Sequence, residues 1–160
     1  MSARSIDDAV RLAVAADAPR LPPADESAIQ RLVMGYGLCA DFSLLDELTE
    51  LFEPEAVWDG SAFRFPRCEG RDEIRAWFGK VAAAEQRQVH VMGPVLVRRV
   101  AGDGDIARGI VSFDAMEAAP EGHGVFAAQH AYGLYEDEYV KRGDAWRFSQ
   151  RVLHLRLVRR

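Results

Sequence analysis

The chain has 160 residues, 49% of them hydrophobic and 28% charged, which suits one domain with a real core. A net charge of -5 leaves no basic stripe for a nucleic-acid partner, and no apolar run approaches a membrane span. Two cysteines, Cys39 and Cys68, are too few for a disulfide framework and read as free buried thiols. Asp7 and Asp8 interrupt the start, so no signal peptide is read, and the expected location is cytoplasmic.

In chain order, Ser5 to Ala16 reads as a short helix: Ile6, Ala9, Val10, Ala13 and Val14 follow helical spacing, and Ser5 can cap it. Pro19, Pro22 and Pro23 break it. Residues 1–24 therefore form a helical extension with a Pro-rich linker, and residues 25–160 form the domain proper. Ile29, Leu32, Val33, Tyr36 and Ala40 predict a long helix starting at Asp25 or Ser27. A second core helix is expected over Leu44 to Phe52, capped by Ser43 and ended by Pro54. Ala56-Val57-Trp58 reads as a short strand, and Gly70 opens a third helix whose buried stripe is Ile74, Trp77 and Phe78.

After Gln88 the period changes. Val89 to Arg99 is rich in β-branched residues and reads as a strand, with Pro94 marking an edge or a bulge. Gly102-Asp103-Gly104 is a turn, Ile106 to Glu117 a strand, and Pro120 to Gly124 a loop. Val125 to Arg142 is a long strand, Gly143-Asp144 a hairpin turn, and Ala145 to Leu157 the returning strand. Helices followed by a strand-rich half predict an α+β fold, with helices over one face of a curved, mostly antiparallel sheet. Such a sheet curls around a pocket.

Several pieces, in this order, resemble one family: Ala28-Ile29-Gln30 leading to Tyr36 and Asp41, then Leu51-Phe52, Ala56-Val57-Trp58, and Gly70 through Ile74. Val89-His90-Val91, Tyr135-x-Asp137-x-Tyr139, Trp146-Arg147-Phe148 and Arg151 complete the set. The chain from about Asp25 onward is similar to the SnoaL-like family of the nuclear transport factor 2-like superfamily. The resemblance implies a cone-shaped sheet covered by three helices. It also implies dehydratase, dehydrochlorinase, cyclase or isomerase chemistry, although other members are non-catalytic assembly subunits, and fold alone does not choose.

By residue type alone, Asp41 reads as a cap for the next helix and His90 as an ordinary strand histidine. The resemblance implies a dyad instead, in which His90 abstracts a proton from carbon and Asp41 holds the imidazole in the useful tautomer. Imidazole suits that work because its proton exchange lies nearest neutrality. Tyr36 is either a core aromatic or, by the resemblance, a group that binds a substrate oxygen. Arg151 is either one of the surface arginines of a basic C-terminal run or a cavity cation that stabilises a leaving anion. Trp58 and Tyr135 are expected in the lining with Phe63, Phe65 and Trp77. Ser112 and Asp114 share one strand face, opposite an apolar face, and point either into the pocket or to solvent. Scytalone dehydratase has a second histidine where Asp114 stands, which argues against a scytalone-type substrate.

His123 sits in a Gly-flanked loop, as a lid residue or as nothing; His130 and His154 have strand parity opposite to Tyr135 and Arg151 and are expected to face away. No spacing suits a metal and no cofactor is implied. The expected function is a dehydratase-type lyase acting on a small, largely apolar cyclic or aromatic molecule. The alternatives are an isomerase or cyclase working through an enolate in the same pocket, or a non-catalytic binding or assembly subunit. Apolar residues on the sheet's outer face, together with the resemblance, predict a homodimer or homotrimer.

Overall fold

The computed structural model describes residues 5–84, 87–118 and 128–159. Helix α1, Ile6–Val14, starts as the sequence predicts: the Ser5 hydroxyl oxygen accepts from the Asp7 N–H at 3.2 Å. It lies against the outer strands, and none of its residues is buried. Helix α2, Pro23–Asp41, starts before Asp25 because proline at the first turn has the right φ and no N–H to leave unpaired. Its inner stripe of Ile29, Leu32, Val33, Tyr36 and Ala40 is buried. Each large aliphatic side chain there contributes about 1.5–3 kcal/mol by leaving water.

Helix α3 is shorter than its apolar run suggests, Leu45–Glu50. Ser43 does not cap it; that residue turns the chain at φ 54, and the cap position falls on Leu44 with no side-chain bond. Phe52 leaves the helical pattern to begin strand β1, Phe52–Asp59, where it pairs with Phe148. Short apolar runs fit helix and strand equally, and here the sheet won. A single 3₁₀ turn at Ser61–Phe63 and strand β2, Arg67–Glu69, went unpredicted because neither is long enough to show a period. Helix α4, Arg71–Ala83, is entered through Gly70 at φ 87, a conformation that costs glycine little.

The remaining strands are β3, Arg87–Val100; β4, Asp103–Ala118; β5, Ala128–Arg142; and β6, Ala145–Arg159. The six form one unclosed curved sheet in the order β2-β1-β6-β5-β4-β3, antiparallel except for β1 with β6. Strand β3 is an edge, as Pro94 predicts, with a register shift between Met92 and Val95. The predicted Pro120–Gly124 loop, the start of the predicted strand at Val125, and His123 lie outside the described residues. Alternation sends Val111, Phe113, Tyr135, Tyr139, Phe148 and Leu153 to the face beneath α2 and α4, where they join the core.

Candidate active site

The inner face of the sheet, the two long helices of the domain and the Ser61–Phe65 turn enclose a cavity of about 590 Å³. Trp58, Phe63, Phe65, Trp77 and Tyr135 line it, as expected from their residue types, along with Phe113 on β4. The wall is a connected aromatic surface: Phe63 stacks on Phe65 at 5.9 Å, and Phe65 meets Trp77 at 5.4 Å. Arg64, Gln88, Glu117 and His130 add polar groups to the lining, and Tyr36 and His90 meet on it with ring centroids 6.4 Å apart.

His90 lines the cavity from β3, and Asp41 ends α2 beside it. His90 Nδ1 and Asp41 Oδ1 are 2.6 Å apart, and the His90 backbone N–H donates to Asp41 Oδ2 at 2.9 Å. Both side chains are 11% exposed. An ionised carboxylate only accepts, so Nδ1 carries the hydrogen and Nε2 is left as the acceptor. Two features bring helix and strand this close. Gly37 has no side chain where an added Cβ would sit 3.1 Å from Met92 Cγ and 3.4 Å from His90 Cβ. At the β3 irregularity, Val95 N–H leaves the ladder and donates to Gln30 Oε1 at 3.0 Å.

Tyr36 is buried between the cavity and the core, with Phe52, Phe78, Tyr135 and Phe148 edge-on around it. Trp58 Nε1–H donates to the Tyr36 hydroxyl oxygen at 2.9 Å. The Tyr135 side chain adds a second hydrogen-bond interaction at the Tyr36 hydroxyl, one that favours the ionised form of Tyr36. Burial raises the Tyr36 phenol above its ordinary pKa, with the Arg151 charge and the Trp58 bond working against that rise. Burial, then the neighbouring Tyr36, holds Tyr135 well above its own.

Arg151 is not where a leaving-group cation would stand. It is completely buried and absent from the cavity lining. Its Nε and Nη2 donate to Asp137 Oδ1 and Oδ2 at 2.9 and 2.7 Å, a bidentate pair, and Tyr139 adds a hydroxyl donor to Oδ2 at 2.8 Å. Burial alone would lower its pKa; the charge and hydrogen bonds of Asp137 outweigh that and raise it. The expectation of a cavity-facing arginine is therefore corrected: the Asp137 carboxylate pulls it into the core. Asp137, fully buried, is marked in the sequence only by its place in Tyr135-x-Asp137-x-Tyr139.

Ser112 and Asp114 are also corrected. Phe113 and Ala115 line the cavity, so strand alternation puts Ser112 and Asp114 on the outer face, where Ser112 is exposed. His154 faces out as expected, with Nε2 3.1 Å from Glu136. His130 departs from its parity: it stands 4.0 Å from Asp114, yet it also contributes to the cavity's rim. Among the described residues no cluster of His, Cys, Asp and Glu could hold a metal ion, and no helix is long and apolar enough to cross a membrane.

The architecture is thus a helix-covered cone with a polar pair at an aromatic cavity. The chain belongs to the SnoaL-like domain family, which matches residues 23–152. The uncharacterized protein Rv2910c of Mycobacterium tuberculosis is 30% identical over 135 residues, covering 80% of this chain and 83% of that protein. Among solved structures, a proposed scytalone dehydratase from Novosphingobium aromaticivorans aligns with a TM-score of 0.74 at 21% identity, over 84% of this chain and 86% of that one. The hexachlorocyclohexane dehydrochlorinase LinA-type3 from Novosphingobium barchaimii aligns at 0.70 and 18% identity, over 85% and 89%. The beta subunit of a proposed aromatic-ring-hydroxylating dioxygenase from N. aromaticivorans aligns at 0.68 and 19%, over 84% and 91%. At these identities the likeness is one of fold, and it spans lyase-type enzymes and a dioxygenase beta subunit alike.

Proposed function

We propose that the protein is a lyase in which His90 Nε2 removes a proton from a carbon of a small, largely apolar cyclic or aromatic ligand, and Tyr36 donates a hydrogen bond to the oxygen that gains charge. The observation that carries this reading is the 2.6 Å Asp41–His90 contact at the wall of an aromatic cavity that Tyr36 also lines. Asp41 supports the imidazolium that forms. Loss of water is the proposed outcome: the electrons of the broken C–H bond form a carbon–carbon double bond, the C–O bond breaks, and the proton taken by His90 passes to the departing hydroxyl. Return of the proton at another carbon would make the same parts an isomerase. A non-catalytic binding or assembly role gives no reason for a cavity-lining histidine aligned by a carboxylate.

Both catalytic outcomes begin with carbon deprotonation, so hydrogen exchange tests them together. Cyclic ketones such as 2-tetralone are incubated with the protein in D₂O, and loss of the α-proton signals is followed by NMR. Exchange above buffer is expected, with His90→Ala slower by roughly 10²–10⁴-fold, the usual share of a general base. No exchange across the panel, or exchange undiminished in His90→Ala, sinks the reading.

A further inference from the structure

Burying a guanidinium and a carboxylate behind a cavity wall is expensive, and apolar residues of similar size would fill that space as well. What the Arg151–Asp137 pair touches suggests its use. The Arg151 guanidinium carbon lies 4.2 Å from the Tyr36 ring centroid and 4.1 Å from those of Tyr135 and Phe148. Its Nη1 is buried with no hydrogen-bond partner, so aromatic faces stand where an oxygen usually would. Tyr36 is thus in contact with this cation and also lines the cavity with His90, while its oxygen accepts from Trp58. A cation against a phenol ring is attracted to its electron-rich face, favours the ionised form, and strengthens the O–H as a donor.

We propose that Arg151 is a positioning residue: held in place by Asp137, its charge acts through the Tyr36 ring to strengthen the Tyr36 hydroxyl as a donor to a ligand oxygen, without touching the ligand. This rests on the reading of Tyr36 as the cavity's donor. The direction agrees with the balance at Tyr36, where burial raises the phenol's pKa and the Arg151 charge opposes it.

The test needs no substrate, so its failure is distinct from failure of the lyase reading. A fluorinated tyrosine, more acidic than tyrosine, is placed at position 36, and its ionisation is followed by ¹⁹F NMR in the full chain. Two changes should move the midpoint in opposite directions. Asp137→Asn leaves the cation without its counter-charge, and the midpoint should fall. Arg151→Met combined with Asp137→Leu and Tyr139→Phe removes the charges and the hydroxyl that served them, and the midpoint should rise by roughly half to one pH unit, about three- to tenfold in proton affinity. Arg151→Lys keeps the charge and should stay nearer the native value than the triple variant. If the triple variant does not fold, the fall in Asp137→Asn and the Lys comparison still decide. Midpoints that coincide in all folded proteins, or a rise in Asp137→Asn, would show that Arg151 only fills space and overturn the proposal.

Discussion

Single residues differ here in what their loss should disturb. Asp41→Asn keeps a base in the cavity but weakens its alignment and charge support, so its hydrogen-exchange rate should fall less than that of His90→Ala. Thermal unfolding of both should stay near native, since neither side chain is in the core cluster. Arg151→Met alone should instead cost about 3–5 kcal/mol in urea unfolding, because it strands the Asp137 carboxylate in the core. The pairing of Asp41 with His90 was legible only through the family pattern, since nothing in the local spacing brings two such distant residues together. The family pattern puts Arg151 on the inner face, where it lies, but its partner is not legible. The irregularity between Glu138 and Tyr139 sets Asp137 opposite Arg151, where a regular hairpin continued from the Arg142–Ala145 pair would set it opposite Gln150.

At the level of elements, the site depends on how closely α2 approaches β3. Gly37→Val should exchange a poor helix residue for a somewhat better one while pushing against Met92 and His90. The expected result is a melting temperature little changed or lowered, with loss of the Asp41–His90 bond, visible as loss of a downfield imidazole N–H signal. A downfield signal unchanged from native would show that the close approach is not needed. The other end of α2 is held by Asp25, whose Oδ1 accepts from Lys141 Nζ at 2.7 Å and from Trp146 Nε1 at 2.9 Å. Those hydrogen bonds, Lys141 first, lower its pKa below the ordinary 3.8. A depressed folded-state pKa stabilises above the unfolded value and loses that contribution as pH falls through the folded one. The gap in urea midpoint between native and Asp25→Asn proteins should therefore be widest near neutrality and close below about pH 4. Helices α2 and α4 and the long strands were legible because each carries several turns or many alternations. Strand β2 and the 3₁₀ turn were not, since three residues have no period.

For the whole molecule, the outer surface of the sheet carries exposed apolar side chains. His90 and Met92 point inward on β3, so Val89 and Val91 point outward, 48% and 56% exposed. Leu157, on β6, is 58% exposed. A lone domain gains nothing from that apolar face, and we propose that a second copy covers it. Light scattering at micromolar concentration should give a multiple of 17.8 kDa, reduced to the single mass by Val91→Lys with Leu157→Lys. A native protein that runs as the single mass would leave the face without that role.

The carboxylate of Asp41 grips both the ring and the backbone of one histidine. Held twice, the imidazole is hindered from turning over, and only one of its nitrogens is left for the cavity. Whatever proton the site takes must leave through that nitrogen, and any proton it gives back must come from there. The consequence is stereochemical. Deuterium introduced at a prochiral carbon should appear on a single face of the ligand, and a racemic substrate should be consumed to half before the reaction slows.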